Sequence, residues 1–176
     1  MGVSGCGKST VGALLAQLLR YEFLEGDTLH PARNVARMAA GVALTDDDRH
    51  DWLQALAQQL KTAHDANRAL VVSCSALKRS YRDVLRSGSA GLAFVHLHGS
   101  PVLLAERMAA RTGHYMPASL LASQLATLEA PADDERAITL DAGLAPEQIA
   151  VQAAAWLGLP TLPAFTSTHP AAPTRP

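Results

Sequence analysis

The chain has 176 residues, enough for one domain but short for two. With 48% hydrophobic and 18% charged residues it can bury a core, which excludes disorder of the whole chain. A net charge of −1, from 15 Lys and Arg against 16 Asp and Glu, argues against a nucleic-acid binder acting through bulk charge. Cys6 and Cys74 are too few for a disulfide framework, which favours a reduced, cytoplasmic setting. No apolar run approaches the roughly 20 residues of a membrane span, so a membrane partner is not expected.

In chain order, Val11, Leu14, Leu15, Leu18 and Leu19 form one apolar stripe of a helix from about Lys8 to Arg20. Residues 21–24 read as a short strand ending at Glu25-Gly26-Asp27. Pro31 opens a second helix and Gly41 stops it. Thr45, followed by Asp46, Asp47 and Asp48, caps a third helix carrying Trp52, Leu53, Leu56 and Leu60 on one face. Residues 69–72 predict a buried strand and Leu77 to Arg86 a helix. Leu92 to Leu97 predicts a strand, Ser100-Pro101 a helix start, Pro117 to Glu129 a helix, Ala137 to Leu140 a strand and Pro146 a final helix. Strands alternating with helices predict an α/β fold with a parallel sheet covered on both faces. Residues 1–159 are expected to form the domain and 160–176 a disordered tail, since five of the ten prolines fall there.

Gly2-Val3-Ser4-Gly5-Cys6-Gly7-Lys8-Ser9 matches G-x-x-x-x-G-K-[ST], the phosphate loop. Its glycines let backbone N–H groups approach phosphate oxygens, and the following helix presents its positive end to the same anion. Lys8 would reach the β- and γ-phosphates, the Ser9 hydroxyl would ligate Mg²⁺ and Thr10 would lie near the α-phosphate. Such a loop ordinarily follows a buried strand, yet only Met1 precedes it here. The sequence therefore predicts a start upstream of Met1, or a truncated and compromised chain.

Asp27 lies at a strand end where open α/β sheets bind ligands. It is a candidate to orient and deprotonate an acceptor hydroxyl, or else caps the next helix. His30 and Arg33 share its loop. Lys78 and Arg82, four apart, would draw an acidic substrate or form a solvated basic face. Arg107 and Arg111 flank a Gly-containing segment at about 111–118, which reads as a lid whose arginines neutralise a transferring phosphoryl group, or as a surface turn. Asp133, Asp134 and Glu135 read as a solvated loop, and Cys74 as a small core residue.

Four segments together, GVSGCGKST (2–10), EGDTLHPARNVARMAAGVALTDDDRHDWL (25–53), CSALKRSYRDVLR (74–86) and ERMAARTGHYMPASLLASQLATLEAP (106–131), resemble the gluconokinases, small P-loop kinases related in fold to shikimate and adenylate kinases. The resemblance implies a nucleoside-monophosphate-kinase-like fold, with a five-stranded parallel sheet and a lid. It implies phosphate transfer from ATP, with Mg²⁺, to the 6-hydroxyl of D-gluconate by a cytoplasmic homodimer. It assigns Gly5, Gly7, Lys8, Ser9 and Thr10 to the nucleotide and Asp27 to the hydroxyl. His30, Arg33, Lys78 and Arg82, with His114 of the lid segment, fall to the sugar acid, and Arg107 and Arg111 to the transferred phosphate. The alternatives are another kinase of this fold, such as a shikimate-type enzyme, and an inactive nucleotide-binding remnant. A regulatory GTPase is disfavoured because no guanine-reading N-K-x-D motif occurs.

Overall fold

The computed structural model describes residues 1–110 and 120–159, and both the expected lid and the expected tail lie outside them. Helix α1 (Lys8–Leu19) follows the phosphate loop directly and ends where Arg20 turns left-handed at φ 56°, its N–H capping Ala16 O. Strand β1 (Glu22–Glu25) runs into a single 3₁₀ turn (Gly26–Leu29), then α2 (Ala32–Ala39). Helix α3 (Asp46–Asp65) opens on a capping box: the Thr45 hydroxyl accepts from Asp48 N, and the Asp48 carboxylate accepts from Thr45 N. The remaining elements are β2 (Leu70–Ser73), α4 (Arg79–Gly88), β3 (Phe94–His98), α5 (Pro101–Ala109), α6 (Leu120–Thr127), β4 (Ala137–Asp141) and α7 (Pro146–Trp156). None of the described helices is long and apolar enough to cross a membrane.

The expected parallel strands form as two parallel pairs, β1 with β2 and β3 with β4. The resemblance implies one five-stranded sheet; the described residues hold four strands, in two separate pairs. They meet at the first two residues. Met1 donates its N–H to Val95 O and accepts from Leu97 N on β3, while Gly2 N donates to Ser75 O beyond the end of β2. The core is built on both halves, with Trp52 and Leu56 of α3, Leu104 of α5 and Ile149 of α7 almost fully enclosed.

Two readings of the α4 region are corrected. Leu77 precedes the helix and is fully buried as loop, because α4 begins at Arg79. Arg82 is also fully buried and points away from solvent. Its Nε and Nη2 each donate to the Glu135 carboxylate at 2.7 Å, and Nη1 donates to Glu129 O at 3.0 Å and Ala76 O at 3.2 Å. Glu135 is therefore an enclosed counter-ion rather than part of a solvated loop. Arg82, with Arg86 beside it, holds that carboxyl well below the usual range. Breaking a buried pair from one side strands a charge at a cost of about 3–5 kcal/mol. We expect Arg82→Met to lower the unfolding free energy by about 3 kcal/mol in urea titrations, with Arg82→Met/Glu135→Leu restoring much of the loss. A single-variant loss below about 1 kcal/mol would contradict a structural role.

Candidate active site

The phosphate loop is shaped by its glycines. Gly2, Gly5 and Gly7 take φ of 135°, 83° and 89°, a region that other residues rarely enter. A Cβ at Gly5 would lie 2.9 Å from Leu104 O of α5, whereas one at Gly7 would meet nothing within 4 Å. The loop is thus pressed against protein at Gly5 and open at Gly7, where α1 begins. Gly7 caps α1 without any side-chain hydrogen bond, leaving the first N–H groups of the helix for an anion. Lys8 folds back over the loop, its Nζ donating to Val3 O at 3.0 Å. From the far side Gln124 of α6 accepts from Ser4 N at 2.7 Å.

The second wall comes from β1 and α3. Trp52 donates its indole N–H to Gly26 O at 2.8 Å and stacks on the His30 ring at 4.2 Å between centroids. This clamp sets the 3₁₀ turn and hence Asp27. A cleft results, lined by Ser4, Lys8, Asp27, His30, Arg49 and Gln124 among others. Burial pushes the His30 imidazole down to about 4 against the opposing pull of Asp27, and His30 Nδ1 has no partner among the described residues.

The expected substrate residues separate. Asp27 and His30 line the cleft. Arg33 is instead exposed and bonded to Asp51 at 2.6 Å. Lys78 is bonded to Asp46 at 2.8 Å, beside Tyr81, which also donates to Asp46. Arg82 is consumed by Glu135. None of these three cations lines the cleft. Arg107 lies on α5 and is likewise absent from the cleft lining, while Arg111 and His114 fall outside the described residues.

Sequence reasoning missed Arg49. It is buried at 9% exposure in the cleft wall, and among the described residues its Nε lacks a partner and its only hydrogen bond is a long one of 3.4 Å to Leu44 O. The signal was available. Arg49 stands three, four and seven positions before Trp52, Leu53 and Leu56, on the buried stripe of α3, where a cation has no solvent to face.

A loop that opens its amides to an anion, while the neighbouring parallel strand delivers a carboxylate, is the arrangement of a P-loop kinase. The chain belongs to the shikimate kinase family, whose profile matches residues 4–154. Several curated relatives are gluconokinases. The Gluconobacter oxydans protein is 49% identical over 156 residues, covering 85% of this chain and 84% of its own length. The thermoresistant gluconokinase of Escherichia coli is 45% identical over 135 residues, covering 77% of each. Among solved structures, a Sinorhizobium meliloti gluconokinase superposes with a TM-score of 0.81 at 52% identity, over 90% of this chain and 89% of that one. A sugar kinase from Janibacter gives 0.87 at 48%, over 90% and 92%.

His96 of β3 is buried, where His30 is only half-buried, and burial pushes its imidazole down to about 4 as well. Between pH 6.5 and about 4 the unfolded chain takes up protons that both folded imidazoles refuse, so stability falls as the pH falls through that window. Urea titrations of the parent and of His96→Gln should give a shallower pH slope for the variant. Equal slopes would contradict the assignment.

Proposed function

We propose that the chain transfers the γ-phosphoryl group of ATP to the 6-hydroxyl of D-gluconate. The observation that carries this reading is the cleft in which Lys8 and Ser4 of the phosphate loop, Asp27 and the unpaired guanidinium edge of Arg49 line one space. The gluconokinase relatives support the same reading.

Each role follows from the chemistry of the group. The uncapped N-terminus of α1 and the open space at Gly7 suit a polyphosphate, and Lys8 offers the charge for its β- and γ-oxygens. Of the other loop residues, Val3 and Gly5 would contribute backbone N–H groups, since those of Gly2, Ser4 and Cys6 are bonded to Ser75 O, Gln124 and Val3 O, and Thr10 would lie near the α-phosphate. Ser9, in the first turn of α1, would hold Mg²⁺, which when bound neutralises charge on the phosphate oxygens. Asp27 takes the proton of the acceptor hydroxyl and orients it for in-line attack. Neutral His30 hydrogen-bonds a sugar hydroxyl. Arg49 receives the carboxylate, for which a planar guanidinium with free donors is suited. Arg33 and Lys78 are held by Asp51 and Asp46 and would act only on release. Arg107, Arg111 and His114 are assigned to closure over the phosphates. Arg82 keeps a structural role. We place the enzyme in the cytoplasm as a homodimer.

The cleft, at about 30 Å³, holds roughly one water, so the walls at residues 43–44 and 120–124 must part to admit a sugar acid. Closure around the bound substrate then excludes water from the phosphoryl transfer.

A coupled assay with ATP, Mg²⁺ and a panel of sugar acids and shikimate tests the substrate, and the panel should single out gluconate. Lys8→Ala and Asp27→Asn should each lower kcat by about 10²-fold or more. Arg49→Lys should raise the gluconate KM about tenfold and leave the ATP KM unchanged, since it keeps the charge but loses the fork. Turnover of gluconate at parental rates by the Lys8 and Asp27 variants would overturn these roles.

A further inference from the structure

Among the described residues no carboxylate is hydrogen-bonded to Arg49, although it is the buried cation of the cleft. Its charge meets an aromatic face. Arg49 Cζ lies 5.8 Å from the centroid of the Tyr81 ring, within the reach of a cation–π contact. A ring face attracts a guanidinium without accepting the N–H groups in its plane. The cation is thereby held while its donors are kept for a ligand.

The ring is itself fixed at both ends. Its body is buried in the main core. Its hydroxyl donates to the carboxylate of Asp46, the first residue of α3. Lys78, just ahead of α4, donates to the same carboxylate at 2.8 and 2.9 Å, and its Nζ lies 5.6 Å from the Tyr81 centroid. Burial first, and the Asp46 bond second, push the Tyr81 phenol up, so the hydroxyl stays a donor. The bonds from Lys78 and Tyr81 hold the Asp46 carboxyl below the usual range, so it stays an acceptor.

Asp46 stands three residues before Arg49 on α3, a spacing at which opposite charges pair along a helix. Here both carboxylate oxygens are taken, one by Tyr81 and Lys78 and the other by Lys78. Tyr81 thus does two things at once: it occupies the anion that would otherwise capture Arg49, and it offers its ring to the cation in place of that anion. Neither Tyr81 nor Asp46 lines the cleft, so any effect on the acceptor must pass through Arg49.

We propose that Tyr81 is a positioning residue for the acceptor site, its ring, locked through the hydroxyl to Asp46, holding the Arg49 guanidinium ready for the carboxylate of the sugar acid. This role rests on Arg49 receiving that carboxylate.

The test is steady-state kinetics of Tyr81→Phe, Tyr81→Leu, Arg49→Met and the two double variants, with gluconate and ATP varied in turn. Tyr81→Leu, which removes ring and hydroxyl, should lower kcat/KM for gluconate about tenfold through KM, with kcat and the ATP KM unchanged. Tyr81→Phe keeps the ring but frees Asp46, and should lower it about threefold. In the Arg49→Met background either change at Tyr81 should have less than a twofold effect, because the cation it serves is gone. If Tyr81→Leu does not fold, Tyr81→Phe with and without Arg49→Met decides the matter alone. Equal losses at Tyr81 with and without Arg49, or a rise in the ATP KM to match that for gluconate, would overturn the role. A silent Tyr81 beside a gluconate-specific defect in Arg49→Met would remove Tyr81 and leave Arg49 as the receptor. An unchanged gluconate KM in Arg49→Met would overturn both.

Discussion

Everything that faces the nucleotide hangs from two residues. Met1 and Gly2 carry backbone hydrogen bonds to β3 on one side and to the segment after β2 on the other, and the phosphate loop begins at once beyond them. Gly2 at φ 135° turns the chain out of the sheet. A Cβ there would lie 2.6 Å from Leu97 O, so the strand end and loop start cannot be moved apart by substitution. The position of Lys8 and the aim of α1 are therefore set by how well the two half-sheets are held together.

The opposite wall of the cleft has a different origin. Asp27 is placed by its connection to β1, but its turn is held by an indole from α3, twenty-six positions away, bonded to Gly26 O. That same helix face carries Arg49. One helix thus fixes the carboxylate and supplies the cation, and the capping box at Thr45 fixes where it starts. A substitution in the apolar stripe of α3 would act on the chemistry without touching substrate.

Much of this was legible in the sequence. The phosphate loop, the helix behind it, the Thr45 cap and the parallel arrangement followed from local signals: glycine spacing, apolar periodicity and acids at a helix start. Asp27 followed from its place at a strand end. The charges proposed to surround the sugar acid did not. Arg33, Lys78, Arg82 and Arg49 are alike as cations on or beside helices, and what separates them is the partner that folding supplies, a carboxylate for the first three and a weak carbonyl contact for the last. Periodicity held part of the answer, since Arg49 shares a face with Trp52 and Arg82 lies three residues before the buried Leu85. Glu135 gave no local sign of burial, because two exposed acids precede it.

The Arg82–Glu135 pair also ties distant parts of the chain. Arg82 rides on α4, which follows β2 and packs on α3, whereas Glu135 sits just ahead of β4. The pair is a side-chain strap from the first half-sheet to the second, independent of the backbone at Met1. Melting of either half separates a guanidinium from its carboxylate and so forfeits a buried pair. The link between the two halves is thus partly electrostatic, since each holds the counter-charge of the other.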